Sequence, residues 1–340
     1  FINTLANFGI HIPEAWTKAP SQGGIINLPA FGIIWVLVLV LISGVKQSST
    51  VNNIMVAIKL STIAIFLAIA VGHINTDNWQ PFSPFGWFAT QPDGNNIGIL
   101  AGASLVFFAY FGFDAVSTAA DEARNPQRDL PIGLIASVTF CTIVYILVSG
   151  TLTGVVHYSD LNVSSPVAYA LSKIGYSWSS TLVATGVLAG LITVLLVLLY
   201  GLTRILYAMS RDGLLPAAFS KVDPERQSPN RVILFCGSMI SIVAGFFPLG
   251  TLAETVNIGT LASFVMVCIG VIVLRKRQPD LPRPFKNPWG PTIPLLGIVS
   301  CSTLMAFLPG ETWHRFLIWV GIGMVTYFAY SMHHSKLRHP

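Results

Sequence analysis

Two ionisable side chains, Lys59 and Asp114, stand deep within apolar sequence, while Glu254 lies only at the edge of an apolar run. An ionised group near the centre of a bilayer costs about 2.5–3.5 kcal/mol even on insertion scales, so such residues face a protein interior or a water-filled path. Lys59 lies about seven residues into its run, roughly 10 Å deep at the helical rise. Two readings stand for it. Its stem can lie along apolar surface while the ammonium reaches the headgroups. Alternatively it is shut between helices, where lost solvation disfavours the charged form and lets the amine load and release a proton. Asp114 reads either as an acid satisfied by a neighbouring donor near a helix end or as a member of the same proton path.

Asp114 closes a stretch with chemistry of another kind, Phe107-Phe108-Ala109-Tyr110-Phe111-Gly112-Phe113-Asp114. Bulky aromatics crowd around Gly112 in a run otherwise made of smaller residues. A glycine in that setting suits a break in a helix. A helix broken near the membrane midplane frees backbone groups to bind a zwitterion or an ion, and irregular backbone is tolerated at that depth only where it lines a cavity. The rings would then act as gates. Taken alone, the same aromatic stripe is also what ordinary packing looks like.

The elements that must position these residues are membrane helices. Charged residues make up 10% of the chain and hydrophobic ones 53%, whereas a soluble domain carries roughly 25% charged residues. With a mean hydropathy of +0.68, the chain has too little charge to cover a water-facing surface and uses a lipid bilayer as part of its solvent. Nine apolar runs approach the length that spans a bilayer: 25–44, 52–72, 97–120, 131–156, 180–203, 232–249, 255–274, 293–308 and 316–332. Runs such as Leu195-Leu196-Val197-Leu198-Leu199 do not alternate apolar with polar residues, which excludes a β-barrel. Threading the nine runs puts 15 of the 19 lysines and arginines on one side, Lys18, Lys173 and Arg315 on the other, and Lys59 within a run. By the excess of basic residues on the inner side, the C-terminus is cytoplasmic and Phe1 outside, in a multi-pass protein of the cell membrane.

Several function classes drop out. The net charge of +5 is spread over short loops, with no basic face to track nucleic acid. Cys141, Cys236, Cys268 and Cys301 fall in apolar runs with no CxxC or His/Cys spacing for a metal. No HExxH, GxGD or GxSxG supports an enzyme, and no TVGYG-like filter supports a channel. After the aromatic stretch, Asn125-Pro126 signals a turn. Asp129 then reads as the cap of the next helix, with Pro131 in its first turn.

The aromatic stretch followed by Asn125-Pro126-Gln127-Arg128-Asp129-Leu130-Pro131 resembles the bacterial branch of the cationic amino acid transporter family, within the amino acid–polyamine–organocation superfamily. Val51-Asn52-Asn53 with Ile58-Lys59-Leu60 resembles that family's fifth helix. Tyr207-Ala208-Met209-Ser210-Arg211-Asp212-Gly213-Leu214-Leu215-Pro216 resembles the loop after its eighth. Asn257-Ile258-Gly259-Thr260-Leu261 and Val271-Ile272-Val273-Leu274-Arg275 resemble its tenth. The similarity covers nearly the whole chain, with the motifs in order.

The resemblance implies an all-α membrane protein with the LeuT-like inverted-repeat transporter fold. The nine runs correspond to family helices four to twelve. Residues 1–72 would hold the last two helices of the first repeat, 97–274 the second repeat, and 293–332 two further helices, all in one membrane domain. On that alignment the chain is expected to lack the first three helices, one of which carries the break that holds the substrate carboxylate, and not to transport by itself. The implied function is secondary amino acid transport by alternating access, with a proton as coupling ion and no other cofactor. Carbonyls near Phe108, Ala109 and Phe111 would bind the substrate ammonium, within a substrate stretch that includes Tyr110 and Gly112, and Phe108 would close as an outer gate. Lys59 would be the proton-coupling lysine, with Asp114 joining it or steadying the helix. Leu195, Leu198 and Leu199 would line the specificity pocket, and their apolar character favours small or neutral substrates over cationic ones. An amino acid/polyamine exchanger of the same superfamily stands as the alternative, and a channel or receptor as one of a different class.

Overall fold

The apolar runs fold as helices, which with closed barrels are the backbone arrangements that satisfy their own N–H and C=O groups in lipid. The computed structural model describes residues 12–43, 49–92, 96–113, 125–163, 165–220, 229–280, 283, 285, 287 and 289–335. Among these, the main helices are α1 (Leu28–Ile42), α2 (Ser49–Ala70), α3 (Ile99–Val106), α4 (Pro126–Val155), α5 (Pro166–Lys173), α6 (Ser177–Arg211), α7 (Asn230–Phe246), α8 (Leu249–Arg277), α9 (Thr292–Ala306) and α10 (Gly310–Thr326). Helix α10 continues through a π-helical stretch, Tyr327–Ser331, into a last turn, Met332–His334.

Each of the nine expected runs meets one of these helices. Five segments are long and apolar enough to cross a membrane: Asn53–His73, Pro126–Val155, Thr185–Arg211, Leu249–Arg277 and Gly310–His334. Leu28–Ile42, Ile99–Tyr110, Asn230–Phe246 and Thr292–Ala306 are apolar but shorter. The run 97–120 is not one continuous helix, because the helical backbone is interrupted at Phe111 and Gly112. The start of α4 also differs from expectation. It begins at Pro126, whose fixed φ and missing N–H suit a first helical position. Asp129 falls in its first turn, and Pro131 sits inside the helix. The Asn125 carbonyl takes the Arg128 and Asp129 N–H groups at 3.1 and 2.9 Å. Between α7 and α8, Phe247 is extended (φ −108°, ψ 140°), as expected of a residue before a proline.

The chain forms two compact units. The first holds residues 1–80, 144–248 and 324–340. Here Ile34, Leu37, Val38 and Leu41 of α1 bury against Val232, Ile233 and Cys236 of α7 and Leu199 of α6. Val38 reaches the α7 backbone because Gly237 has no side chain; a Cβ there would overlap the valine methyl. The start of α1 is tied to the end of α7 by the Asn27 N–H donating to the Gly245 carbonyl at 2.9 Å.

A second seam in this unit joins α2 and α6, running antiparallel. Phe66 packs with Val183, Thr62 sits on Gly186, and Lys59 sits on Gly190. Glycines four residues apart let two helices approach closely where no hydrophobic effect pulls them together. Short helix α5, outside the expected set, buries Ala170 and Leu171, the latter in the Phe66 cluster. At the end of α4, Trp79 donates its indole N–H toward the Gly150 carbonyl (3.3 Å) and the Thr153 hydroxyl (3.2 Å).

The second unit holds residues 81–143 and 249–323. Ile258 and Leu261 of α8 bury against Met305 and Leu308 around the end of α9, with Phe107 packed on the cluster. Gly297 faces the Cys268 sulfur, which would lie 2.9 Å from an added Cβ. The buried Thr312 hydroxyl donates to Glu254 at 3.0 Å. Arg315 bridges Glu254 (3.4 Å) and Glu311 (2.8 Å). A two-stranded antiparallel hairpin, β1 (Ala89–Thr90) with β2 (Asn96–Ile97), leads into α3.

The α2–α6 seam makes a stability prediction. Gly186→Ala places a methyl on the Thr62 side chain, and overpacking of this kind costs about 1–3 kcal/mol, so the unfolding temperature of detergent-solubilised protein falls. Gly201→Ala, on the same helix with nothing within 4 Å of an added Cβ, leaves that temperature unchanged or higher. Equal unfolding temperatures for Gly186→Ala and wild type would mean that the two helices do not pack this closely.

Candidate functional site

The break in the expected third span has a defined construction. Helix α3 ends as the Phe107 N–H donates to the Ala103 carbonyl. Phe107–Tyr110 then tighten into a 3-10 turn, closed by the Phe111 N–H donating to the Phe108 carbonyl at 3.1 Å. Phe111 is extended (φ −58°, ψ 134°), and Gly112 takes φ +108°. A Cβ on Gly112 would meet nothing within 4 Å. The glycine is therefore required by the left-handed backbone and not by space.

The aromatic residues divide into two roles. Phe107 and Phe113 both pack on Phe264 of α8, with ring centroids 6.2 and 5.4 Å away. One lies before the break and one after it. Tyr110 is anchored by its hydroxyl, which donates to Thr142 of α4 at 3.1 Å. Phe108 and Phe111, by contrast, keep 44% and 43% of their surface exposed. Of the expected substrate residues, Tyr110 is thus held to a neighbouring helix, while Phe108 and Phe111 present open rings on either side of Ala109 and Tyr110.

An α-helix leaves its last carbonyls without intrahelical partners. Here the carbonyls that follow Ala103 are those of Ser104 and Leu105. Both are taken by the side-chain amide of Asn257, whose Nδ2 lies 3.0 Å from the Ser104 oxygen and 2.9 Å from the Leu105 oxygen. Asn257 is 1% exposed, and its Oδ1 has no hydrogen-bond partner. The Ser104 hydroxyl, also buried, shares its proton between the Leu100 and Leu304 carbonyls at 2.8 and 2.9 Å. Sequence reasoning assigned no role to either residue. The available signal was an uncharged polar residue inside an apolar run, which in lipid usually seeks a partner on another helix.

In the first unit, Lys59 is half-buried. Its stem lies across Gly190 of α6, with Cε 2.7 Å from where a Cβ would stand. The lysine therefore packs on a neighbouring helix. Leu199 is buried in the α1–α7 cluster and Leu195 packs against it. Leu198 is half-buried. Asp114 and the following residues to Arg124 lie outside the described residues. Among the described residues, no three His, Cys, Asp or Glu side chains gather as metal ligands.

With this geometry in place, comparison with known proteins is informative. The sequence pattern of the amino acid permease family matches residues 2–328. A branched-chain amino acid permease of Bacillus subtilis (strain 168) is 45% identical over 342 residues, covering 99% of this chain and 72% of the relative. A methylthioribose transporter of the same organism is 43% identical over 339 residues, with the same two coverages. The vacuolar cationic amino acid transporter 4 of Arabidopsis thaliana is 37% identical over 263 residues, 77% of this chain and 43% of the relative. These are permeases and transporters, not enzymes, and they agree with the resemblance read from the motifs. A family match over nearly the whole chain, with relatives this similar along it, places the chain in the amino acid permease family of the amino acid–polyamine–organocation superfamily.

Proposed function

We propose that the protein is a proton-coupled secondary transporter of neutral amino acids that works by alternating access. The observation that carries this is the broken helix at Phe111-Gly112, with open phenylalanine rings at Phe108 and Phe111. Broken helices near the bilayer midplane are where such transporters bind zwitterions, through backbone groups turned away from the helix axis. In this reading carbonyls near Phe108, Ala109 and Phe111 meet the substrate ammonium, within a substrate stretch that includes Tyr110 and Gly112, and Phe108 gates it. The fold is the LeuT-like inverted repeat, with these helices as family helices four to twelve. The basic inner loops put the C-terminus in the cytoplasm of a cell-membrane protein.

Neutral substrates are favoured by the apolar character of Leu195, Leu198 and Leu199, and by the branched-chain permease among the relatives. In proteoliposomes holding the intact transporter, labelled leucine and alanine are taken up faster than arginine. Faster arginine uptake would overturn the substrate assignment. The methylthioribose transporter supports a second reading, a neutral thioether sugar without an ammonium group. Labelled methylthioribose is not taken up on the first reading, whereas on the second it is taken up and leucine is not.

Lys59 is the coupling residue in this proposal. Its stem is held in the Gly190 notch of α6, a placement that snorkelling to the headgroups does not need. In the intact transporter Lys59→Ala reduces pH-gradient-driven uptake to simple equilibration, while counterflow exchange of amino acid persists. Continued concentration of substrate against its gradient by this variant would remove Lys59 from the coupling step. Wild-type counterflow that ignores the pH gradient would instead favour an exchanger.

A further inference from the structure

The broken helix depends on a residue outside it. We propose that Asn257 of α8 is the positioning residue that holds α3 in its interrupted form, by donating both carboxamide protons to the carbonyls of Ser104 and Leu105. The link to transport rests on the reading of Phe108–Gly112 as the substrate stretch, but the structural claim does not.

The register supports it first. In an uninterrupted α-helix, the carbonyls of Ser104 and Leu105 would take the N–H groups of Phe108 and Ala109. These are the carbonyls that Asn257 occupies, at 3.0 and 2.9 Å. The side chain thus offers partners to both groups that do not depend on the helix continuing. In a membrane interior water does not serve that purpose.

The chemistry of the carboxamide supports it second. With two carbonyl oxygens in front of it, the amide can only present its NH2, because the opposite orientation would set three acceptors against one another. The consequence is a buried Oδ1 without a donor. An unpaired buried acceptor is unfavourable, and a leucine, which branches at the same carbon, would occupy the site without one. An asparagine is useful here only if the two donated bonds are.

The surroundings support it third. Asn257 and Phe264 stand seven residues apart, two turns along one face of α8. Phe264 packs on Phe107 and Phe113, on either side of the break, and Asn257 binds the carbonyls just before it. Ser104 is also fixed by its hydroxyl, which donates to the Leu304 carbonyl of α9. A single face of α8 therefore holds the interruption at three points.

The test uses the intact transporter in lipid nanodiscs and proteoliposomes, comparing wild type with Asn257→Leu and Asn257→Ser. The leucine fills the space but cannot donate, and the serine is too short to reach both carbonyls. Amide hydrogen exchange over 107–111 is expected to slow about tenfold in Asn257→Leu as the α-helix extends through Phe108 and Ala109. The KM for leucine uptake is expected to rise about tenfold, the factor that a pair of neutral hydrogen bonds is worth. The unfolding temperature stays at or above wild type, because the orphan acceptor is gone. Asn257→Ser moves exchange and KM in the same directions by less, and it decides the matter should the leucine variant fail to insert. Unchanged exchange over 107–111 overturns the proposal, as does a lower unfolding temperature with exchange and KM unaltered. Slowed exchange with an unaltered KM upholds the role of Asn257 and instead removes 108–112 from the substrate site. Wild-type protein that takes up no amino acid refutes the proposed function alone, because the exchange comparison needs no substrate.

Discussion

Lipid offers a peptide group no hydrogen-bonding partner, and this constraint shapes the second unit from its centre outward. A helix that crosses without interruption meets it unaided. A helix that breaks must borrow donors for its last carbonyls, and borrowing fixes what stands next to it. Asn257 supplies Ser104 and Leu105. At the end of α9, the Trp313 indole donates to the Met305 carbonyl at 3.2 Å. In the first unit, Asn78 and Trp79 serve the Gly154 and Gly150 carbonyls near the end of α4. In each case a side chain from another element adds a hydrogen bond at or near a helix end, so the end and its neighbour are specified together.

The same solvent removes the usual reason for helices to associate. Apolar side chains are as comfortable among lipid tails as against each other, and close approach must come from shape. Gly186, Gly190 and Gly237 provide it in the first unit, receiving Thr62, Lys59 and Val38. For Lys59 this has a chemical side. The glycine that admits the lysine stem also keeps its four carbons between two helices, so one feature supplies both packing and the placement of an ionisable group. Leu199 shows the opposite case. Its place in the α1–α7 cluster gives it a packing task with no ionisable group attached.

Much of this was legible in the sequence, and the reasons are specific. The nine apolar runs were readable because burial in lipid demands length and low charge, which need no knowledge of neighbours. The break at Gly112 was readable because a left-handed backbone favours glycine and the aromatics flag a special environment. The start of α4 was misread because two prolines compete. Pro131 looked like the first turn, but Pro126 already supplies the restricted φ, and a proline a little further in is tolerated. Helix α5 was passed over because eight residues are too few to show a period. Asn257 was visible only as part of a motif, because its role depends on carbonyls about 150 positions away in the chain. Distance in sequence, and not weakness of the interaction, hid it.

The division among the aromatics bears on how such a site discriminates. Rings that pack on Phe264 hold the backbone, and those of Phe108 and Phe111 stay exposed, which on the proposed reading leaves them to meet the substrate. A backbone turned by Gly112 offers carbonyl acceptors, which suit an ammonium and equally suit sugar hydroxyls. The open rings offer apolar surface, which suits a branched aliphatic chain and equally suits a thioether. The proposed site is thus compatible with the chemistry of the substrates for which two relatives, a branched-chain amino acid permease and a methylthioribose transporter, are named. On the proposed reading, selection between such substrates comes from groups that contact the rest of the molecule, because the break itself offers the same acceptors and the same apolar surface to each.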